Sequence, residues 1–174
     1  VSDKLVRIGV VSDTHFEGVA AGLDFFTGLF DDVFAGIDLL LHAGDIVHAD
    51  VLTAITGCPV LAVRGNCDAA ADDLPNQRIV SCSGFRIGMI HGWGTTADIE
   101  HRVCSAFSGE HLDALIYGHS HFPVCRREGH LLLLNPGSPT DRRQSPFHSV
   151  GLLHLGQRLS GQIINLDSRS RGKH

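Results

Sequence analysis

The sequence predicts an α/β fold in which two β-sheets pack face to face and helices cover their outer faces. Three observations predict it. The first half alternates short β-branched runs with stretches of helical periodicity, the βαβαβ signature of a parallel sheet. The second half consists of strand patterns joined by tight turns, with one helical segment. Several apolar runs end on clusters of Asp, Asn, Gly and His, as strands do when their carboxyl ends share one crevice.

The elements follow in order. "LVRIGVVSD" reads as a strand, and "AAGLDFFTGLFDDVF" as a helix whose Leu23, Phe26, Leu29, Phe30 and Val33 recur at helical spacing on a core-facing side. "IDLLLHAGD" is the second strand, "ADVLTAITG" a second helix and "PVLAVRGN" the third strand. In "RIVSCSGFRIGMIHG" two strands turn at Ser83-Gly84, and a helical segment runs from Ala97 to Phe107. "LDALIYGHS" is a strand, "FPVCRREGHLLLLNPGS" a pair turning at Glu128-Gly129, and "SVGLLHLGQRLSGQIINLD" a final pair turning near Gly156-Gln157. "NPGS", Asn135 to Ser138, reads as a tight turn beside the site, with Gly137 supplying backbone freedom. No repeat or linker divides the chain, so one domain is expected over 1–167, with the polar, basic 168–174 as a disordered tail.

With 174 residues, 43% hydrophobic and 19% charged, the chain is long enough for one soluble domain with a real core. A net charge of −5 gives no electrostatic basis for bulk nucleic-acid binding, although Arg126-Arg127 and Arg142-Arg143 are local spots suited to phosphate. No apolar run approaches the roughly 20 residues that cross a bilayer, and the start lacks the features of a secretory leader. The expected place is the cytoplasm, with no membrane partner and with self-association left open. The five cysteines are odd in number and lack C-x-x-C spacing, which argues against a disulfide framework or zinc ribbon. Twelve histidines exceed what packing requires.

The polar clusters carry the chemistry. Asp13 and His15 follow the first strand, Gly44-Asp45 the second, Gly65-Asn66 the third, His91 the fifth, and His119 with His121 the sixth. Side chains at i and i+2 of an extended segment share a side. Asp13 with His15, and His119 with His121, can therefore each aim both side chains at one centre. Carboxylate, imidazole and amide oxygen form the ligand set of a divalent metal. Asp13, His15, Asp45, Asn66, His91, His119 and His121 are too many for one four-coordinate ion, and enough for two ions sharing a carboxylate. Mixed N/O ligands suit manganese first, with zinc, iron, nickel or cobalt as alternatives. His42 reads either as a residue that hydrogen-bonds a ligand or as a buried strand histidine, and His48 as a substrate contact at the loop mouth. His101, His111, His130, His148, His154 and His174 read as surface or strand positions.

In "SDTH", "GD", "GN", "HG" and "GHSH", in that order, the chain resembles the calcineurin-like metallophosphoesterase superfamily. Within it, the chain is similar to the small single-domain phosphodiesterase branch, which is related to a retromer subunit. The resemblance implies a four-layer α/β/β/α sandwich of two mixed sheets. It implies that Asp13, His15, Asp45 and His121 hold one divalent ion and Asp45, Asn66, His91 and His119 the other, with Asp45 bridging. Asp45, Asn66 and His91 then act in catalysis. The implied activity is hydrolysis of a small phosphodiester or nucleotide-like substrate by in-line attack of a hydroxide bridging the two ions. A phosphomonoesterase using the same ions, or an interaction scaffold, are the alternative readings. Typical members carry "GNH" where this chain has "GNC". A thiol is a weak donor with an ordinary pKa near ~8.5, so Cys67 is read as a filler, with a soft metal ligand or a redox point as the other readings.

Overall fold

The computed structural model describes residues 5–70 and 73–169. Ten strands form two five-stranded sheets. In the first, β1 (Val6–Val11), β2 (Leu39–His42) and β3 (Val60–Ala62) are parallel neighbours, and β9 (Ser149–Leu155) and β10 (Leu159–Asn165) extend it antiparallel in the order β10-β9-β1-β2-β3. The second has the order β4-β5-β6-β8-β7, built from β4 (Gln77–Cys82), β5 (Phe85–Ile90), β6 (Ala114–Ile116), β7 (Val124–Glu128) and β8 (Leu131–Asn135). Its three central strands, β5, β6 and β8, run parallel.

Strand alternation builds the layers. Ile8, Val10, Leu41, Leu153 and Leu155 face Ile87, Met89, Ile116, Leu132 and Leu134 across an apolar interface between the sheets. The alternate residues Val11, Leu40 and Leu152 face outward against Phe26, Leu29 and Phe34, where α1 (Val19–Asp31) packs with α2 (Asp50–Ala54). On the other side Leu115 and Leu133 meet Ile99, Val103 and Phe107 from α3 (Ile99–Ala106). The result is the expected four-layer α/β/β/α sandwich. Of the expected helical core positions Phe26, Leu29 and Val33 are buried, whereas Leu23 and Phe30 are half-buried at the edge of the packed face.

Two local expectations shift. The second helix stops at Ala54 because Ile55 is already extended, ahead of Gly57 and Pro59 and the short run into β3. The segment after Ala97 begins as a 3-10 turn over Thr96–Asp98 before α3. The Ser83-Gly84 turn is as expected, with φ of 49° and 81°, the two positive values of a tight hairpin turn. Of the expected tail, 170–174 lie outside the described residues, while Ser168 and Arg169 stand in a turn and Arg169 pairs with Asp32 at 2.6 Å. No helix among the described residues is long and apolar enough to cross a membrane.

Register positions the site. Val11 pairs with His42 and His42 with Ala62, so the loops after β1, β2 and β3 leave the first sheet at one level. Met89 pairs with Ile116 and Ile116 with Leu134, so the loops after β5, β6 and β8 do the same in the second. Both sets of carboxyl ends open toward one crevice.

Candidate metal centre

The crevice collects the seven candidate residues from five loops. Asp13 is fully buried and Asp45 is 2% exposed, so two carboxylates sit at the joint of the sheets. Each has one oxygen pinned and the other presented. Asp13 Oδ2 accepts from Ser12 Oγ at 2.6 Å and from the His119 amide at 3.0 Å, while Oδ1 faces His121 Nε2 at 3.2 Å and His91 Nε2 at 3.8 Å. Asp45 Oδ1 accepts the Cys67 amide at 2.8 Å, while Oδ2 faces His91 Nε2 at 3.4 Å and His15 Nε2 at 3.7 Å.

The imidazoles are oriented from behind. His91 Nδ1 donates to the Ala43 carbonyl at 2.7 Å, and His121 Nδ1 donates to the Asp141 carbonyl, which turns both Nε2 atoms inward. His15 Nε2 meets His121 Nε2 at 3.3 Å. On the other side of Asp45, His119 Nδ1 lies 3.0 Å from Asn66 Oδ1 and its Nε2 lies 2.9 Å from the Gly94 carbonyl. A neutral imidazole has one proton and cannot donate to both oxygens.

Electrostatics follow from burial. Desolvation alone would push Asp13 and Asp45 up, but His121 and His91 beside Asp13, and His91 and the Cys67 amide beside Asp45, hold both carboxyls below the usual range. Burial would likewise lower His91 and His121, yet Asp45 and Asp13 beside His91, and Asp13 beside His121, raise them. Concentrated negative charge with only histidines facing it is the demand a divalent cation meets. Two of the three buried side-chain polar atoms without a hydrogen-bond partner among the described residues are Asp13 Oδ1 and His91 Nε2. Asp13, His15 and His121 could hold an ion, as could Asp13, Asp45 and His91, or His15, Asp45 and Cys67; within each set the donor atoms lie within 4.8 Å of one another. The residues fit a metal.

The reason expected for pairing within "SDTH" and "GHSH" is corrected by the backbone. Asp13, His15, His119 and His121 are not extended; their φ values are 55°, 41°, 69° and 58°, and Asp45 has 57°. Left-handed residues replace strand alternation, at a cost of about 1–3 kcal/mol each. His119 and His121 face different sides of the centre: His121 lies with Asp13 and His15, and His119 with Asn66 and His91. Close approaches fix these loops. A Cβ on Gly65 would lie 2.1 Å from Asp45 Oδ1, and one on Gly118 would lie 1.9 Å from Ser12 Oγ.

Among the remaining candidates, His42 is fully buried, and the Gly44 amide donates to its Nδ1 at 3.2 Å, so its Nε2 donates to Thr14 Oγ1 at 3.0 Å. It joins the loops of Asp13 and Asp45 as a neutral imidazole, its pKa pushed down to about 4 by burial. His48 is exposed ahead of α2, where its backbone carbonyl accepts the Val51 amide at 3.1 Å. Cys67 is exposed, and desolvation, then Asp45, push its thiol up to about 11. Its backbone amide anchors Asp45 Oδ1, and its thiol also lies against the same carboxylate.

Sequence reasoning missed Asp68. Its carboxylate accepts the amides of Asp45, Ile46, Val47 and Gly65 at 2.7 to 2.9 Å, tying the second and third loops together and holding the β-branched Val47 at φ 72°. The signal available was an acidic residue three positions after Gly65 in a tight turn. The turn after β8 was foreseen, with Gly137 at φ 75°, but not its role as a clamp: Ser138 Oγ donates to the Asp13 carbonyl at 2.7 Å and Thr140 Oγ1 to that of Thr14 at 2.7 Å.

The fold and the crevice define a class, the metal-fitted phosphoesterases. The chain belongs to the calcineurin-like phosphoesterase superfamily, whose domain model matches residues 6–158. It is 37% identical over 163 residues to a probable metallophosphoesterase of Methanothermobacter thermautotrophicus, spanning 90% of this chain and 91% of that one. Two solved structures share the fold. An archaeal phosphodiesterase has a TM-score of 0.70 at 21% identity, over 92% of this chain and 100% of that one. Wild-type Vps29 of Entamoeba histolytica in complex with zinc has a TM-score of 0.62 at 21% identity, over 92% and 99%.

Two outcomes follow from this geometry. Asp68→Ala strips four backbone amides of one ionised acceptor, and at ~1.5–3 kcal/mol for a bond to a charged group it should cost at least about 3 kcal/mol in urea unfolding of metal-free protein; a loss below about 1 kcal/mol would remove Asp68 as the hub. For His42 the folded pKa of about 4 lies below the ordinary 6.5. As pH falls from 6.5 toward 4 the unfolded chain takes up a proton that the folded chain refuses, so stability is full above this window and declines through it. Metal-free His42→Gln should therefore lose less melting temperature than wild type between neutral and mildly acidic pH, and parallel curves would refute a neutral buried His42.

Proposed function

We propose that the protein is a divalent-metal-dependent phosphodiesterase, converting a phosphodiester and water to a phosphomonoester and an alcohol. The observation that carries this reading is the pair of buried carboxylates, Asp13 and Asp45, each with one oxygen pinned and one turned toward inward-facing imidazole nitrogens. In this reading Asp13, His15, Asp45 and His121 hold one ion, Asp45, Asn66, His91 and His119 the other, and manganese is the first choice. Divalent ions bound there would neutralise phosphoryl oxygens and lower the pKa of a water for in-line attack.

The chain's own groups do the rest. The Cys67 amide fixes Asp45 Oδ1, so the carboxylate cannot swing away from its shared position. Ala43 and Asp141 carbonyls keep the outward protons on His91 and His121, leaving the inner nitrogens as donors of electron pairs. Asn66 presents its Oδ1 beside His119. A thiol with a pKa raised to about 11 is neither a thiolate nucleophile at neutral pH nor a good acid for the leaving oxygen. The likeness to Vps29 leaves a scaffold role as the competing reading; convergence of all seven side chains favours the enzyme.

Stripped protein titrated with manganese should bind two ions and hydrolyse bis(p-nitrophenyl) phosphate, and excess chelator should abolish the rate; undiminished turnover in chelator would end the metal-dependent reading. Loss of groups behind metal ligands already costs about 10- to 100-fold. Asp45→Asn, removing the shared ligand, should exceed about 100-fold and exceed His121→Ala, measured at saturating manganese on folded protein. Near-normal turnover in Asp45→Asn would overturn the bridge.

Cys67→Ala should change kcat/KM for aryl diesters by a few-fold at most, because a backbone amide performs the anchoring. Loss of a general acid would instead cost about 10²- to 10⁴-fold, and a drop of that size at full metal occupancy would give the thiol a catalytic role.

A further inference from the structure

A cleft of about 580 Å³ opens beside the metal centre, lined by none of the seven candidate ligands. Three stretches of chain wall it, and each touches a ligand. Thr96 to Glu100 follow Gly94, whose carbonyl lies 2.9 Å from His119 Nε2. Ser120 stands between His119 and His121, and Phe122 and Val124 continue from it. Arg143 and Gln144 follow Asp141, whose carbonyl accepts from His121 Nδ1. The first wall is braced from α3, where Arg102 donates to the carbonyls of Trp93 and Thr95.

The polar groups within the cleft are already engaged. Tyr117 is 1% exposed, and its hydroxyl donates to Glu100 Oε1 at 2.6 Å, while the other Glu100 oxygen pairs with Arg126. Ser120 Oγ accepts from Asn135 Nδ2 at 3.0 Å and from the Phe122 amide at 3.3 Å. Thr96, Arg143 and Gln144 are exposed to water, and Arg143 Nε lies 3.5 Å from the Asp141 carboxylate. A polar group that has its partner gains little from a ligand, and losing that partner costs stability. What the cleft still offers is apolar surface: buried Ile99, half-buried Val124, and the Phe122 ring, which is 50% exposed one residue after His121.

We propose that this cleft is the subsite for an apolar ester group: the substrate is a phosphodiester with an alkyl or aryl alcohol on one side, and Phe122 selects it. This rests on the phosphodiesterase reading and narrows it. It departs from the nucleotide-like substrate that the family resemblance implies, because the polar edge of a buried nucleobase needs partners that the cleft has already used.

The probes are O-alkyl methylphosphonates, singly charged mimics of a diester that lack a good leaving group, with alkyl chains from methyl to hexyl. Manganese-loaded protein is titrated with each by calorimetry. A fully buried methylene is worth about 4-fold in affinity. For a cleft open at its mouth the expected gain is about 2-fold per carbon, or about 30-fold from methyl to hexyl. Phe122→Ala should lower that hexyl-to-methyl ratio at least about 3-fold with little change for the methyl ester. Phe122→Leu should restore most of it, and Trp93→Ala, which alters a different cleft of about 300 Å³ at His91, should leave it intact. The uridine ester of the same phosphonate should bind more weakly than the hexyl ester. A flat series, a ratio that follows Trp93 rather than Phe122, or a uridine ester that binds more tightly than hexyl would overturn the apolar subsite even if aryl diesters are hydrolysed. The expected series with no hydrolysis of any diester would refute the hydrolase reading and leave the apolar subsite standing.

Discussion

Two ionised carboxylates buried where the sheets meet are the constraint on which the rest of the structure depends. Asp13 and Asp45 have lost nearly all contact with water, and an isolated carboxylate in such a place would take up a proton. The fold prevents this by spending backbone amides and histidines on them. One oxygen of each is locked by an amide, and the other is surrounded by imidazole nitrogen. Every loop at this end of the molecule is arranged around that requirement.

Meeting it costs backbone comfort. Six of the nine non-glycine residues with positive φ among the described residues, Asp13, His15, Asp45, Val47, His119 and His121, lie in the three loops after β1, β2 and β6. Such conformations persist only where the surroundings over-determine them. Here Asp68 gathers four amides from two loops, Ser138 and Thr140 hold the carbonyls of the first, and Asn135 Nδ2 donates to the Gly118 carbonyl below the last. The packed sheets supply the rigid base from which those side chains reach. A site built this way is ordered before it meets a ligand, which is what positioning catalysis requires.

The same economy accounts for Cys67. What the site needs at that position is an amide aimed at Asp45, and any residue other than proline supplies one. Because the amide carries the anchoring, the side chain there can differ from the histidine of typical family members, although the thiol still lies against Asp45.

The chain alone determined the layers and the identity of the converging residues. Continuous apolar runs such as "IDLLLHAGD" and "HLLLLNPGS" mark strands buried on both faces, and the βαβαβ order implies a parallel sheet whose carboxyl ends share a level; which leucine enters the inter-sheet core and which meets the helices is set by packing. "SDTH", "GD", "GN", "HG" and "GHSH" stand at those ends, so their meeting was legible from local pattern. How they meet was not. Strand alternation would have put His119 and His121 on one side, whereas left-handed backbone sends them to opposite halves of the centre. Asp68, Ser138 and Thr140 act through backbone groups of loops far away in sequence, and His42 has its tautomer set by an amide and a hydroxyl from different loops. Periodicity reports only which face of an element is buried; loop conformation and long-range hydrogen bonding arise when the sheets pack, and only the tertiary structure decides them.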